Sequence, residues 1–206
     1  SPGCSAVSPP SSAVPVSAHA AAMPLTMSAI RSGTTLPVAM ASSGLHSNGY
    51  SLVRHVFFDI AGWKLDRDVP EFGRTLGEEL LTPTRLYTKP CLALADAVEV
   101  HAMSHITGGG LAANLERVLP DSVSVRLDRS SWTPAPVFGL VGELGKVAQA
   151  DLDLALNMGV GMVAIVPADA ADAAVALLGE HGVDAWIAGE VAAAGTHGAG
   201  GSVTLS

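Results

Sequence analysis

Two histidines in this chain stand inside glycine-rich turns, each followed by a stretch with helical spacing. His46 lies in Ala41-Ser42-Ser43-Gly44-Leu45-His46-Ser47-Asn48-Gly49-Tyr50, and His105 in Ser104-His105-Ile106-Thr107-Gly108-Gly109-Gly110-Leu111. Imidazole, with an ordinary pKa of about 6.5, is the side chain suited to moving a proton near neutral pH. Glycine leaves the backbone bare and lets a ligand come close to it. A helix N-terminus after such a turn has unpaired N–H groups and favours an anion by about 0.3–1 kcal/mol, which suits a phosphate. Ser47 or Asn48 can cap the helix after the first turn. A third passage, Asn157-Met158-Gly159-Val160-Gly161-Met162, puts an amide side chain at a strand entrance and two glycines on one strand face, where a ligand or another backbone can approach. Neither the Walker lysine pattern nor the Rossmann spacing occurs, so no free-standing nucleotide cradle of either type is expected.

Each feature also has a purely structural reading. Gly-rich strand-to-helix turns are common, a loop or strand histidine can simply satisfy its neighbours, and Gly159 and Gly161 can serve close sheet packing. Arg85, in Thr82-Pro83-Thr84-Arg85, reads equally as a surface cation or a substrate contact. His101 reads as a surface residue.

The elements that must position these groups alternate between strand and helix. Thr35–Ala41 is β-branched and aliphatic enough for a buried strand, and Tyr50, Val53, Phe57 and Ile60 recur at helical spacing. Residues 63–77 read as a connection with one irregular or short helical piece, and Pro90 as the start of a helix over 91–100. Further strands are expected at 102–106, 122–127 and 185–191, and helices at 111–118, 137–144, 151–156 and 168–180. Trp132 reads as a packing anchor. This order implies an α/β domain, a mixed sheet flanked by helices, over residues 34–192, with a frayed tail at 193–206.

Composition narrows the classes. The 206 residues are 49% hydrophobic, ample for a core, and carry a formal charge of −8 without any Lys/Arg run. A nucleic-acid surface is therefore not expected. The run 159–178 is interrupted by Pro167, Asp169 and Asp172, so no membrane span is expected either. Cys4 and Cys91 make neither a metal spacing nor a disulfide framework, which fits a reducing cytoplasm. Residues 1–33 are rich in Ser, Ala and Pro, contain Arg31 as their only arginine, and are expected to be poorly ordered.

The three glycine-rich passages, together with Glu78-Glu79-Leu80-Leu81-Thr82-Pro83-Thr84-Arg85-Leu86-Tyr87, resemble AIR synthetase, the phosphoribosylformylglycinamidine cyclo-ligase of purine biosynthesis, over residues 38–192. The resemblance implies the three-layer α/β substrate domain of that family and a small phosphorylated ribonucleotide as substrate. In the family, ATP phosphorylates the amide oxygen of formylglycinamidine ribonucleotide, an amidine nitrogen closes the imidazole ring, and ADP and phosphate leave. ATP and Mg²⁺ are implied as cofactors and a cytoplasmic homodimer as the assembly. The ATP-binding domain that precedes the His46 loop in the family has no counterpart here, and the chain starts at Ser1 rather than Met. A truncated, frameshifted or fused gene product is the expectation, and no metal ligand is assigned. The resemblance gives His46 and His105 the tasks of orienting the amide and moving protons. It makes Ser47, Asn48, Gly49, Thr107, Gly108, Gly109, Gly110 and Asn157 substrate contacts. The alternatives are a non-catalytic ribonucleotide-binding fragment or another member of the same ATP-using superfamily.

Overall fold

The computed structural model describes residues 30–206. In chain order the elements are β1 (Thr35–Ala41), α1 (Tyr50–Arg54) widening into a π turn (His55–Ile60), β2 (Asp68–Val69), β3 (Arg74–Thr75), α2 (Leu76–Leu80), α3 (Thr88–Ala97), β4 (Ala102–His105), α4 (Gly110–Glu116), β5 (Val123–Leu127), α5 (Pro136–Gly145), α6 (Gln149–Ala155), β6 (Val160–Pro167), α7 (Ala171–Glu180), β7 (Ala185–Ile187), β8 (Gly189–Ala193) and β9 (Val203–Leu205).

Sheets flanked by helices are present as expected, but the strands divide into two main sheets. A four-stranded sheet has the order β4-β6-β1-β7 and a three-stranded sheet the order β8-β5-β9. The first is wholly antiparallel, and the parallel pairing is confined to β5 and β9. Strand periodicity sorts the apolar side chains between two cores. Val38 and Met40 of β1 join Ala164 and Val166 of β6 against Leu94 of α3 and Leu178 of α7. Ala39, Val163 and Ile165 face the other way, onto Leu111 and Leu115 of α4 and Val125 and Leu127 of β5. A third cluster joins Val53 and Phe57 to Val137, Phe138 and Val141 of α5 and Leu152 of α6.

The topology fixes where the loops emerge. Both β1 and β4 run antiparallel to β6, with Ala41 opposite Val160 and His105 opposite Met162. The C-terminal ends of β1 and β4 therefore flank the N-terminal end of β6, and three separate sequence passages meet at one sheet edge.

Several expectations need correction. The tail after residue 192 is not frayed: β9 pairs in parallel with β5, and Ala194, Gly201 and Ser206 donate backbone N–H groups to Ser122, Val123 and Leu127. Its glycines hide the pairing because they carry no periodic apolar signal. The expected poor order does not extend to Ile30, which is 2% exposed in the core, and the Gly33 N–H donates to the Val191 carbonyl at 3.1 Å. The expectation for residues 1–29 lies outside the described residues. The helix expected at 91–100 is α3, with Pro90 inside its first turn, where no N–H is needed. Ile60 is 51% exposed, because the π turn adds a residue per turn and rotates it off the face that keeps Phe57 buried. His101 is buried at 5% exposure rather than on the surface, since the His101 N–H extends the β4–β6 pairing to the Ile165 carbonyl at 2.8 Å.

Candidate functional site

The His46 loop is held from beneath by a side chain. Asn157 is fully buried; its Nδ2 donates to the carbonyls of Gly44 at 2.9 Å and Leu45 at 3.2 Å, and its Oδ1 accepts the Gly159 N–H at 2.8 Å. With both ends of the amide engaged in the interior, Asn157 shapes the loop. The next residue of that loop, His46, takes a left-handed backbone conformation, φ 56°. Its Nε2 accepts the Ser43 N–H at 3.0 Å, which in the neutral ring leaves the proton on Nδ1. Nδ1 is enclosed and has no hydrogen-bond partner.

Neither Ser47 nor Asn48 caps α1. Gly49 occupies that position without any side-chain bond, pressed so closely on α6 that a Cβ would sit 2.7 Å from the Ala155 carbonyl oxygen. Ser47 is exposed and faces Thr84 Oγ1 at 3.3 Å, and Ser43 Oγ donates to the Pro83 carbonyl at 2.7 Å, so the Pro83-Thr84 segment leans on the loop. Asn48 is half-buried. It is also the group that a Cβ on Gly108 would meet first, Oδ1 at 4.0 Å, which brings the two glycine-rich turns side by side.

The second turn is braced by a residue outside the glycine run. Asn114, buried at 4% exposure, donates through Nδ2 to the carbonyls of Thr107, Gly108 and Gly110 and accepts the Thr107 hydroxyl at 3.1 Å. Thr107 thus serves the turn itself. The signal in the sequence was an amide three residues after Leu111, on the buried face of an otherwise apolar helix. The three glycines differ. Gly108 is open, Gly109 precedes α4 in a left-handed conformation, and Gly110 lies directly against the Asp153 backbone of α6. Both turns therefore rest on α6, which the Arg129–Asp153 ion pair also anchors.

Tyr87, the last residue of the Glu78–Tyr87 passage and not among the expected site residues, neighbours both imidazoles. Its ring lies 6.1 Å from that of His46 and 6.4 Å from that of His105, and its hydroxyl donates to the Ala41 carbonyl at 2.7 Å. Gly161 makes room for it: a Cβ there would overlap the Tyr87 hydroxyl and come within 2.9 Å of His46 Cε1. Burial, reinforced by His105 and Arg85 nearby, lowers the His46 pKa to about 4. Burial also pushes the Tyr87 phenol well up from its ordinary value. Beside these rings opens a cleft of about 350 Å³ lined by Thr84, Arg85, Leu86, Tyr87, Thr88, Cys91, His105 and Met162.

The state of His46 can be measured. An unfolded histidine takes up its proton below 6.5, whereas His46 in the fold resists until about pH 4. Its contribution to stability is therefore complete above 6.5 and declines as the pH falls from 6.5 toward about 4. Nitrogen NMR of the imidazoles should report a neutral Nδ1–H tautomer for His46 throughout the neutral range. A ring that titrates near 6.5 would contradict the enclosed geometry.

A family profile described as AIR synthase related protein, C-terminal domain, matches residues 36–201. The chain belongs to that family. The match continues past residue 192 through the end of β8 and stops at residue 201, just before β9. A Streptomyces fradiae protein provisionally named phosphoribosylformylglycinamidine cyclo-ligase is 64% identical over 169 residues, covering 82% of this chain and 92% of that protein. The phosphoribosylformylglycinamidine cyclo-ligase of Symbiobacterium thermophilum is 49% identical over 160 residues, covering 76% of this chain but 45% of its own length. This chain thus spans less than half of that relative. The solved thiamine-monophosphate kinase of Stenotrophomonas maltophilia shares the fold at a TM-score of 0.54 and 19% identity, over 85% of this chain and 51% of that one.

Mg²⁺ is a cofactor implied by the resemblance to AIR synthetase. Among the described residues no group of three or more His, Cys, Asp or Glu could hold a metal ion. The described residues therefore do not fit a Mg²⁺ site. No helix among the described residues is long and apolar enough to cross a membrane.

Proposed function

We propose that this chain forms the substrate-facing half of a phosphoribosylformylglycinamidine cyclo-ligase, which closes the imidazole ring of formylglycinamidine ribonucleotide. The observation that carries this reading is the meeting of the His46 and His105 turns at the N-terminal end of β6, in a chain of this family. The assembled enzyme is a cytoplasmic homodimer in this reading. ATP and Mg²⁺ belong to its other half, and no residue of this chain is assigned to them.

Within the site the two histidines take different tasks. His46 is neutral near pH 7, its Nε2 is already engaged and its Nδ1 is enclosed, so it suits shaping the turn that presents Asn48 rather than carrying a proton. His105 is exposed at the cleft and is the group placed to move protons. Asn48, half-buried beside Gly108, offers its amide to the substrate, with Ser47 and Gly108 next to it.

Calorimetry tests the reading. The purified chain should bind formylglycinamidine ribonucleotide weakly and show no ATP-dependent ring closure by itself. Replacing Asn48 by Ala should weaken that binding about five- to tenfold, the worth of one hydrogen bond. Replacing the exposed His181 by Ala should leave it unchanged. Robust turnover by residues 1–206 alone, or binding indifferent to Asn48, would falsify the assignment.

A further inference from the structure

We propose that Arg85, with Thr84, Thr88 and His105 on the walls of the same cleft, forms the subsite for the phosphate monoester of the ligand. The inference rests on the ribonucleotide reading above and adds which end of that ligand goes where. Arg85 is set in place from behind, since its Nη1 donates to the Gly182 carbonyl after α7 at 2.8 Å and its Nε is enclosed without a partner. Among the described residues it is ion-paired with no carboxylate. The cleft is lined by no Asp or Glu. The guanidinium is close enough to act electrostatically on both His46 and Tyr87.

A guanidinium among hydroxyl donors, with no carboxylate on the cleft walls, is complementary to an anion. Leu86, Tyr87 and Met162 give the cleft an apolar wall, which limits screening of the Arg85 charge and suits the carbon skeleton of a ribose. Guanidinium and phosphate match in geometry, forming paired hydrogen bonds that a lysine reproduces only as a point charge. The hydroxyls of Thr84 and Thr88 add donors on either side. With the phosphate at Arg85, the rest of the ligand reaches past His105 toward Asn48 and the first glycine turn.

The probe is ribose 5-phosphate, titrated into the full chain and compared with ribose. Ribose 5-phosphate should bind and ribose should not, and Arg85→Gln should weaken binding tenfold or more. Arg85→Lys should restore part of the loss. Arg54→Gln, on the π-turn side of the molecule, should change nothing. Because Arg85 also holds the end of α7, Thr88→Val serves as a second variant on the exposed first turn of α3, expected to cost a few-fold in affinity with an unchanged melting temperature. Equal binding of ribose, absence of ribose 5-phosphate binding, or full affinity in both Arg85→Gln and Thr88→Val would overturn the subsite. Failure of the broader reading has a different signature: ribose 5-phosphate still binds through Arg85, but formylglycinamidine ribonucleotide binds no more tightly than ribose 5-phosphate.

Discussion

Replacing Gly110 by Ala is expected to destabilise the domain by about 3 kcal/mol or more, while the same change at Gly108 stays within about 0.5 kcal/mol. The two positions are separated by one residue and look alike in sequence. At Gly110 the added methyl overlaps the carbonyl oxygen of Asp153 and lies 2.7 Å from its carbonyl carbon, and φ is +76°. The obstacle is backbone in α6, so no side-chain rotation relieves it, and left-handed strain adds to the overlap. At Gly108 the methyl meets only Asn48 Oδ1, at 4.0 Å. For a domain of this size, about 3 kcal/mol corresponds to a fall of roughly 6–12 °C in melting temperature. Thermal melts of the two variants decide the matter, and a Gly110→Ala protein as stable as its parent would mean that the turn does not rest on α6. Gly108→Ala should instead appear in ligand affinity, because its methyl narrows the gap between the two turns.

A second large effect is expected at Asn157. Asn157→Asp keeps shape and volume but replaces the Nδ2 donor, bonded to the Gly44 and Leu45 carbonyls, by an acceptor oxygen. Two carbonyls then face a buried carboxylate, a loss of about 3–5 kcal/mol with release of the His46 loop. Asn157→Ala should cost less, since it leaves groups unpaired without adding a charge. The gap between Asn157→Asp and the parent should narrow as the pH falls, because a protonated carboxyl regains one donor. Urea denaturation at two pH values measures this, and substrate affinity follows the state of the loop. If Asn157→Asp matched the parent in both stability and affinity, Asn157 would have no part in shaping the turn.

Both effects arise from packing that sequence spacing conveys only in part. The alternation of strand and helix, the buried character of β1, and the pairing of each histidine with its own glycine turn follow from local pattern. Periodicity places apolar residues on faces whatever the tertiary arrangement. It fails where backbone geometry departs from the regular repeat, as at the π turn that exposes Ile60. It also fails where pairing comes without apolar alternation, as in the glycine-rich tail that ends in β9. A lone histidine carries no burial signal, so strand pairing alone decides the environment of His101.

The amino-acid sequence by itself determined the family, the α/β class and the two turns in which His46 and His105 stand, because these depend on residue types within a few positions of one another. The tertiary structure decided what each residue of those turns does. Antiparallel pairing of β1 and β4 to the shared strand β6 brings the turns to one edge. Contact with α6 separates glycines that touch backbone from the one left open. Asn157 and Asn114 became interior braces because their Nδ2 groups donate to backbone carbonyls of the neighbouring turns. Tyr87 entered the site only because Gly161, far away in the chain, leaves space for its ring, and such a complementarity between distant residues has no trace in local sequence.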